Sequence, residues 1–228
     1  MPNIRYLGHS SYYIGSSKGS AIITDPYGKS IPYTFPLISA DVVLQSHEHG
    51  DHNAGWRVNG NPVILKRTND FTAEFEVNVD RTKELLAFKA FPSYHDKFIG
   101  KKKGPNTIFM WYMDGMKFCH LGDLGTVLTE REIEWIGDVD VLFCPVGGGT
   151  VLTSSDAVLV VNQLKAKIVF PMHYKTKMTE YISWLEEPVE NFVEKIGKNN
   201  TEYLYALATQ VDSYSLPATT SVKILENG

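Results

Sequence analysis

Apolar positions in the first half of the chain recur in short runs rather than at helical spacing. Ile4 to Leu7, Ser11 to Ile14 and Ala21 to Thr24 are β-prone segments separated by Gly8, Gly15 and Gly19, a pattern that predicts strands joined by tight turns. Asp41 to Gln45 reads as a short buried strand. Pro62 to Lys66, Leu85 to Phe91, Thr107 to Met113 and Lys117 to Leu121 continue the series, and Val139 to Phe143 and Lys167 to Phe170 complete it. Between Asp25-Pro26 and about residue 38 the chain is irregular and rich in Pro, Tyr and Phe.

Helical punctuation belongs to the second half. Thr129 and Glu132 have capping-box spacing, Ile133 and Ile136 supply an apolar face, and Gly137 can end the helix. Ser154 or Ser155 can cap a helix carrying Ala157, Val161 and Leu164 on one side. Pro188 suits a first turn, followed by Val189, Phe192, Val193 and Ile196 at helical spacing, with Gly197 as the stop. A β-like tail runs from Tyr203 to Ile224. No linker, low-complexity tract or repeat interrupts this order, so residues 1–228 read as one domain.

Composition narrows the class of protein. With 43% hydrophobic residues, the chain has material for a large core. Lys and Arg number 22 against 26 Asp and Glu, a formal charge of -4, which gives no general drive toward nucleic acid or anionic membranes. Two cysteines, Cys119 and Cys144, exclude a disulfide scaffold and a cysteine-based zinc finger, and both read as small buried strand residues. The amino terminus lacks a signal-peptide pattern, and no apolar run approaches the roughly 20 residues of a membrane span. A cytoplasmic protein acting on a small molecule is the expectation, with a homo-oligomer left open.

The chemistry is concentrated in His47-Glu48-His49-Gly50-Asp51-His52. In extended backbone alternate side chains share a side, so His47 and His49 can reach one ion, while a turn at Gly50 sends Asp51 and His52 elsewhere. Imidazoles with a carboxylate suit a borderline divalent ion such as zinc. His95, Asp123 and His173 each follow a predicted strand, from whose end a side chain can join others above a sheet.

These segments, with Leu7-Gly8-His9-Ser10, Thr24-Asp25-Pro26, Pro145-Val146-Gly147-Gly148 and Pro171-Met172-His173-Tyr174, resemble the metallo-β-lactamase-fold hydrolases. Within them the chain looks like the branch of the L-ascorbate-6-phosphate lactonases and N-acyl-phosphatidylethanolamine phospholipases. The resemblance implies an α/β fold, a four-layer αββα sandwich. It implies one metal on His47, His49 and His95, a second on Asp51, His52 and His173, and Asp123 bridging. Two divalent ions are expected, Zn2+ first, with Mn2+ or Fe as alternatives. A hydroxide held between them would attack a small anionic ester, lactone or phosphoester, with Asp51 managing a proton. The alternatives are a phosphodiesterase of the tRNA-processing nuclease type and a non-catalytic metal-binding protein.

Weaker signals read two ways. His9 is either a structural histidine or, as the resemblance suggests, a catalytic residue that donates to a ligand from behind or touches substrate, and Asp25 either braces a ligand histidine or caps a turn. His120 should face away from Asp123 by strand alternation. Lys97 and Lys101 to Lys103 lie close to His95, as a solvated loop or an anion-binding patch, with Lys101 to Lys103 the candidate substrate contact. Gly147 to Gly149 could present N–H groups to an anion or simply turn the chain. Tyr27, Tyr33, Phe35, Tyr94 and Phe98 either wall the pocket or pack the loops.

Overall fold

The structure, a computed structural model, describes residues 1–66 and 72–226. Strands β1 (Asn3–Gly8), β2 (Ser11–Gly15), β3 (Ala21–Thr24), β4 (Val42–Gln45) and β5 (Val63–Lys66) are followed by β6 (Ala73–Val79), β7 (Glu84–Tyr94), β8 (Pro105–Met113) and β9 (Met116–His120). The second half interleaves α1 (Glu130–Ile136), β10 (Val141–Pro145), α2 (Ser154–Gln163), β11 (Ile168–Met172) and α3 (Val189–Ile196), then adds β12 (Thr201–Tyr203), β13 (Ala208–Gln210) and β14 (Ser221–Ile224). Six strands form one mixed sheet in the order β13-β1-β2-β3-β4-β5, and eight form the other, β12-β14-β11-β10-β9-β8-β7-β6.

The period of two in the strand sequences builds the layers. Ile22, Val42 and Leu44 point into the core between the sheets, while their neighbours Ala21, Ile23 and Val43 point to the opposite face. Tyr12 spans the inter-sheet core. Its ring lies 4.7 Å from that of Phe143, and its hydroxyl donates to the Pro171 carbonyl at 2.8 Å. Buried Phe109, Trp111, Phe118 and Phe170 continue this core along the larger sheet. Apolar area of this extent removed from water is the main force holding the two sheets together.

The two outer faces are covered differently. The apolar sides of α1, α2 and α3 join the large core cluster, with Trp135 of α1 stacked 5.5 Å from Phe91 and Val160 and Val161 of α2 fully buried. On the six-stranded sheet the cover over Ile23 and Val43 is the irregular segment carrying Tyr27, Ile31, Tyr33 and Phe35, joined by Ile182 and Leu185. The four-layer sandwich is therefore realised with an aromatic loop as one outer layer among the described residues.

The expected strands form, with ends shifted by a few residues. β6 goes beyond the sequence reading, although Phe75, Val77 and Val79 alternate with Glu74, Glu76 and Asn78 and pair in register with β7. The capping box at α1 forms as expected, with Thr129 accepting from the Glu132 N–H and Glu132 returning the bond. At α2 the cap is Thr153, one residue before the expected serines, because its side chain accepts from the Asp156 N–H while Ser154 already lies in the helix. Pro188 stands as the extended residue before α3 rather than inside its first turn. The tail is only partly strand, with β12, β13 and β14 divided between the two sheets. Among the described residues no helix is long and apolar enough to cross a membrane.

Candidate metal centre

Every proposed ligand stands just beyond a strand end. His47 and His49 follow β4, and Asp51 and His52 lie on the turn closed by the His52 N–H to the His49 carbonyl at 2.9 Å. His95 follows β7, Asp123 follows β9 and His173 follows β11. His9 directly follows β1. His9 and His173 both take left-handed backbone, φ 55° and 53°, and the His173 N–H donates to the His9 carbonyl at 3.0 Å. Left-handed φ at non-glycine residues is costly, and its presence on facing residues shows that the surrounding structure fixes both side chains. Gly147 is required by a close approach, because a Cβ there would run into the His173 carbonyl.

The ligand atoms fall into two groups. Those of His47, His49 and His95 lie within 4.8 Å of one another, as do those of His9, Asp51, His52 and His173. Asp123 Oδ2 lies between the groups, 3.0 Å from His95 Nε2, 3.1 Å from His173 Nε2, 3.2 Å from His52 Nε2 and 3.8 Å from His47 Nε2. All seven residues expected as ligands thus converge.

Hydrogen bonds behind the ring fix which nitrogen faces inward. His95 Nδ1 donates to the Thr150 carbonyl at 2.9 Å, and His52 Nδ1 donates to Asp25 Oδ2 at 3.0 Å. Ser46 Oγ donates to Asp25 Oδ2 at 2.7 Å, so it accepts from His47 Nδ1 at 2.8 Å. In these three rings the bond made by the outer Nδ1 turns Nε2 inward toward Asp123, the orientation that metal-binding histidines require; facing Asp123 also raises the pKa of His52 and His95 despite their burial. Asp25 is therefore a brace: one oxygen takes the Ser46 N–H, the other takes Ser46 Oγ and His52 Nδ1. Asp25 lies near His47 and His52, and both its oxygens are engaged by Ser46 and His52.

A divalent ion fits this chemistry. His47 Nε2, His52 Nε2, both ring nitrogens of His173 and Asp123 Oδ1 are buried without a hydrogen-bond partner. Buried polar atoms are normally paired, so such a concentration at one point signals a bound group. Charge follows the same arrangement. Burial, then His52, brings His47 down to about 3, so its imidazole is neutral at pH 7. Burial opposes ionisation of Asp123, but His173, His52 and His95 overrule it and hold the carboxyl well below its usual range.

His9 is buried and its Nε2 lies 3.1 Å from Asp51 Oδ2. Burial, reinforced by His173, lowers its pKa to about 4, so the neutral ring donates its Nε2–H to the Asp51 carboxylate. Burial would raise Asp51, yet His52 and His9 keep it ionised. His120 is turned away as expected, donating from Nε2 to the Ser10 carbonyl and accepting the Gly122 N–H at Nδ1.

Above this ring opens a cavity of about 370 Å³, lined by His49, Asp51, Lys103, Thr150 and Trp184 among others. Trp184 packs 5.4 Å from His173 and 5.7 Å from His9. Of the lysines expected as a patch, only Lys103 reaches this cavity. Lys97 is paired with Asp156 at 3.1 Å, and Lys102 Nζ sits 3.9 Å over the Phe98 ring. Tyr27, Tyr33 and Phe35 are buried in the outer loop layer and pack it, and Tyr94 is exposed away from this cavity, whereas Phe98 lines a neighbouring one. In the Gly147 to Gly149 turn the Gly148 N–H is spent on the Leu152 carbonyl, and Glu187 approaches the α2 N-terminus at Ser154. Both cysteines are buried and free, and burial raises the thiol of Cys119 to about 12.

Trp184, Thr150 and Ser46 escaped the sequence reading. Ser46 adjoins the histidine motif, and a hydroxyl beside a ligand was its available signal. Thr150 acts through its carbonyl, which any residue supplies, and Trp184 arrives on a loop whose path only the fold determines.

Residues 3–173 match the family described as the beta-lactamase superfamily domain. A UPF0173 metal-dependent hydrolase of Pyrococcus furiosus is 29% identical over 196 residues, covering 77% of this chain and 86% of the relative. That of Pelotomaculum thermopropionicum is 28% identical over 194 residues, covering 76% and 84%. A Thermotoga maritima crystal structure, provisionally described as a Zn-dependent hydrolase of the metallo-beta-lactamase superfamily, superposes with a TM-score of 0.77 at 30% identity over 100% of both chains. Matching family, matching fold and a pocket ringed by inward-facing histidines agree, and the chain belongs to the metallo-β-lactamase superfamily of metal-dependent hydrolases.

Proposed function

We propose that this protein is a two-ion hydrolase of small anionic esters, lactones or phosphoesters. The observation that carries the reading is the position of Asp123 Oδ2 between two groups of ligand atoms whose ring nitrogens converge on it. One ion would be held by His47, His49 and His95, the other by Asp51, His52 and His173, with Asp123 shared. Seven ligands exceed what one tetrahedral ion takes. Zinc suits the imidazole-rich donor set best, with manganese or iron as alternatives. Bound divalent ions supply electrostatic stabilisation of developing negative charge and lower the pKa of water toward neutrality.

The chain's own groups do the rest. Asp51 lines the cavity as an ionised carboxylate, and His9 holds it in place from behind. That geometry suits Asp51 to accept a proton from the attacking water or pass one to the leaving group. His9 orients the carboxylate and, being neutral, adds no competing charge. Trp184 closes one wall and limits water around the reacting bond. The resemblance to the lactonase and phospholipase branch is the narrower reading, supported by His9, Asp25 and Gly147, which all brace this pocket. Elemental analysis of chelator-free protein should approach two divalent ions per chain, and a panel of carboxyl esters, lactones and phosphodiesters should identify the bond cleaved. A firm value near one ion after reloading, or no turnover across the panel in loaded protein, would overturn the reading.

A further inference from the structure

The loop after His95 has an internal order unusual for a lysine-rich surface segment. Asp96 gathers three backbone donors at once, the N–H groups of Phe98 at 2.7 Å, Lys102 at 2.9 Å and Lys103 at 2.7 Å. The carboxylate thus organises the loop from within, and Gly104 closes it with its N–H to the Gly100 carbonyl at 2.9 Å. The lysine side chains then part company. Lys97 is committed to Asp156 and Lys102 to the face of Phe98, whereas Lys103 lines the metal-centre cavity. Beside that cavity lies a second, of about 360 Å³, lined by Phe98, Lys102, Gly149 and Glu186, and Lys103 and Thr150 belong to the walls of both. Thr150 is also the residue whose carbonyl fixes His95. The junction of the two cavities is thus tied directly to the candidate ligand ring.

We propose that Lys103 is the specificity-determining residue of this site, holding a substrate anion distal to the bond cleaved, where the metal-centre cavity meets its neighbour. Asp96 is its positioning residue. The inference deepens the hydrolase reading and rests on it only for calling the bound molecule a substrate. A substrate of this class carries two separated features, a cleavable carbonyl or phosphoryl group at the centre and a carboxylate or phosphate a few bonds away. A flexible ammonium strengthens capture more than transition-state stabilisation.

Calorimetric binding of two probes to the zinc-loaded protein tests this without turnover. 3-Phosphonopropionate carries a carboxylate beyond its phosphonate, and propylphosphonate lacks it. Wild type should prefer the former by about threefold to fivefold, the upper part of the range of an exposed ion pair, with the preference shrinking as salt rises. Lys103→Gln should erase the preference and Lys103→Arg should retain it, while Lys101→Gln and Lys102→Gln leave it in place. Asp96→Asn should weaken the preference to the same degree, and adding Lys103→Gln to it should cost nothing more. Should Asp96→Asn fail to fold, the three lysine variants and the arginine rescue decide the matter. No preference in wild type, a preference intact in Lys103→Gln, or equal losses in all three lysine variants would overturn the proposal. Protein that shows the Lys103-dependent preference yet hydrolyses nothing on the panel would sink the hydrolase reading and leave this one standing.

Discussion

The two halves of the candidate centre are built to different standards. His52 and His173 are buried and Asp51 is half-buried, with His52 braced by Asp25, Asp51 held by His9 and the His173 ring packed between His9 and Trp184. The other half has buried His47 and His95, but His49 is exposed and makes no side-chain hydrogen bond among those of the described residues. One half therefore combines charge, burial and orientation, whereas the other relies on two fixed imidazoles and one that must be captured. Fixed ligands cost little entropy on binding, so the deeper half should hold its ion more tightly.

The strongest way to break this comparison is to remove what both halves share. Asp123→Ala should reduce metal content from about two ions toward none and lower turnover by roughly 10³-fold or more, as loss of charge stabilisation at a metal centre does. Metal analysis with the hydrolysis assay reads both effects, and retention of two ions would remove Asp123 as the bridge. Next in size, Asp51→Ala and His52→Ala should each abolish measurable hydrolysis in protein that still melts cooperatively, because the apolar core does not depend on this turn. His49→Ala should instead lose one ion while the deeper one stays, a difference visible in stepwise chelator titration.

Asp25→Asn sharpens the comparison from behind. It retains the shape but removes the charge that His52 and Ser46 share, and it should weaken the deeper ion, which it braces directly, by about 10- to 100-fold, and the other, reached through Ser46 and His47, by less. Equal weakening of both ions would show that the halves are not independently braced. A smaller effect concerns acid stability of the metal-free chain. His9 titrates at about 4 in the fold and near 6.5 when unfolded, so the unfolded state binds more protons between those values. Stability should fall as pH drops from 6.5 toward 4, by about 3 kcal/mol from this group, and His9→Gln should flatten that part of a urea-denaturation profile. Smallest of all, Cys119 and Cys144 should resist thiol reagents at pH 8 until the protein unfolds, because burial raises both thiols.

What was legible in the sequence divides along similar lines. His47 to His52 are neighbours in the chain, and alternation with one turn is enough to send them toward two points. His95, Asp123 and His173 were legible because strand ends in a layered fold collect at one edge. Lys103 could not be separated from Lys101 and Lys102, since their divergence depends on Asp96 folding the loop back on itself. The aromatic residues between 25 and 38 suggested a pocket wall equally well as loop packing. Their outcome was decided by the exposed outer face of the six-stranded sheet, which needed apolar cover. The β6 alternation was present in the sequence, but its two-sided polarity made it quieter than the apolar runs around it.

The hydrogen bond between the His9 carbonyl and the His173 N–H joins the residue that holds Asp51 to the last ligand in the chain. It forms only after β1 and β11 have docked, a closure that brackets most of the polypeptide. Contacts of such long sequence separation form slowly and late, so a nascent or partly denatured chain would present the His47 to His52 segment without its partners. High-affinity metal uptake should then coincide with the last folding phase, making the ion a reporter that β1 and β11 have met.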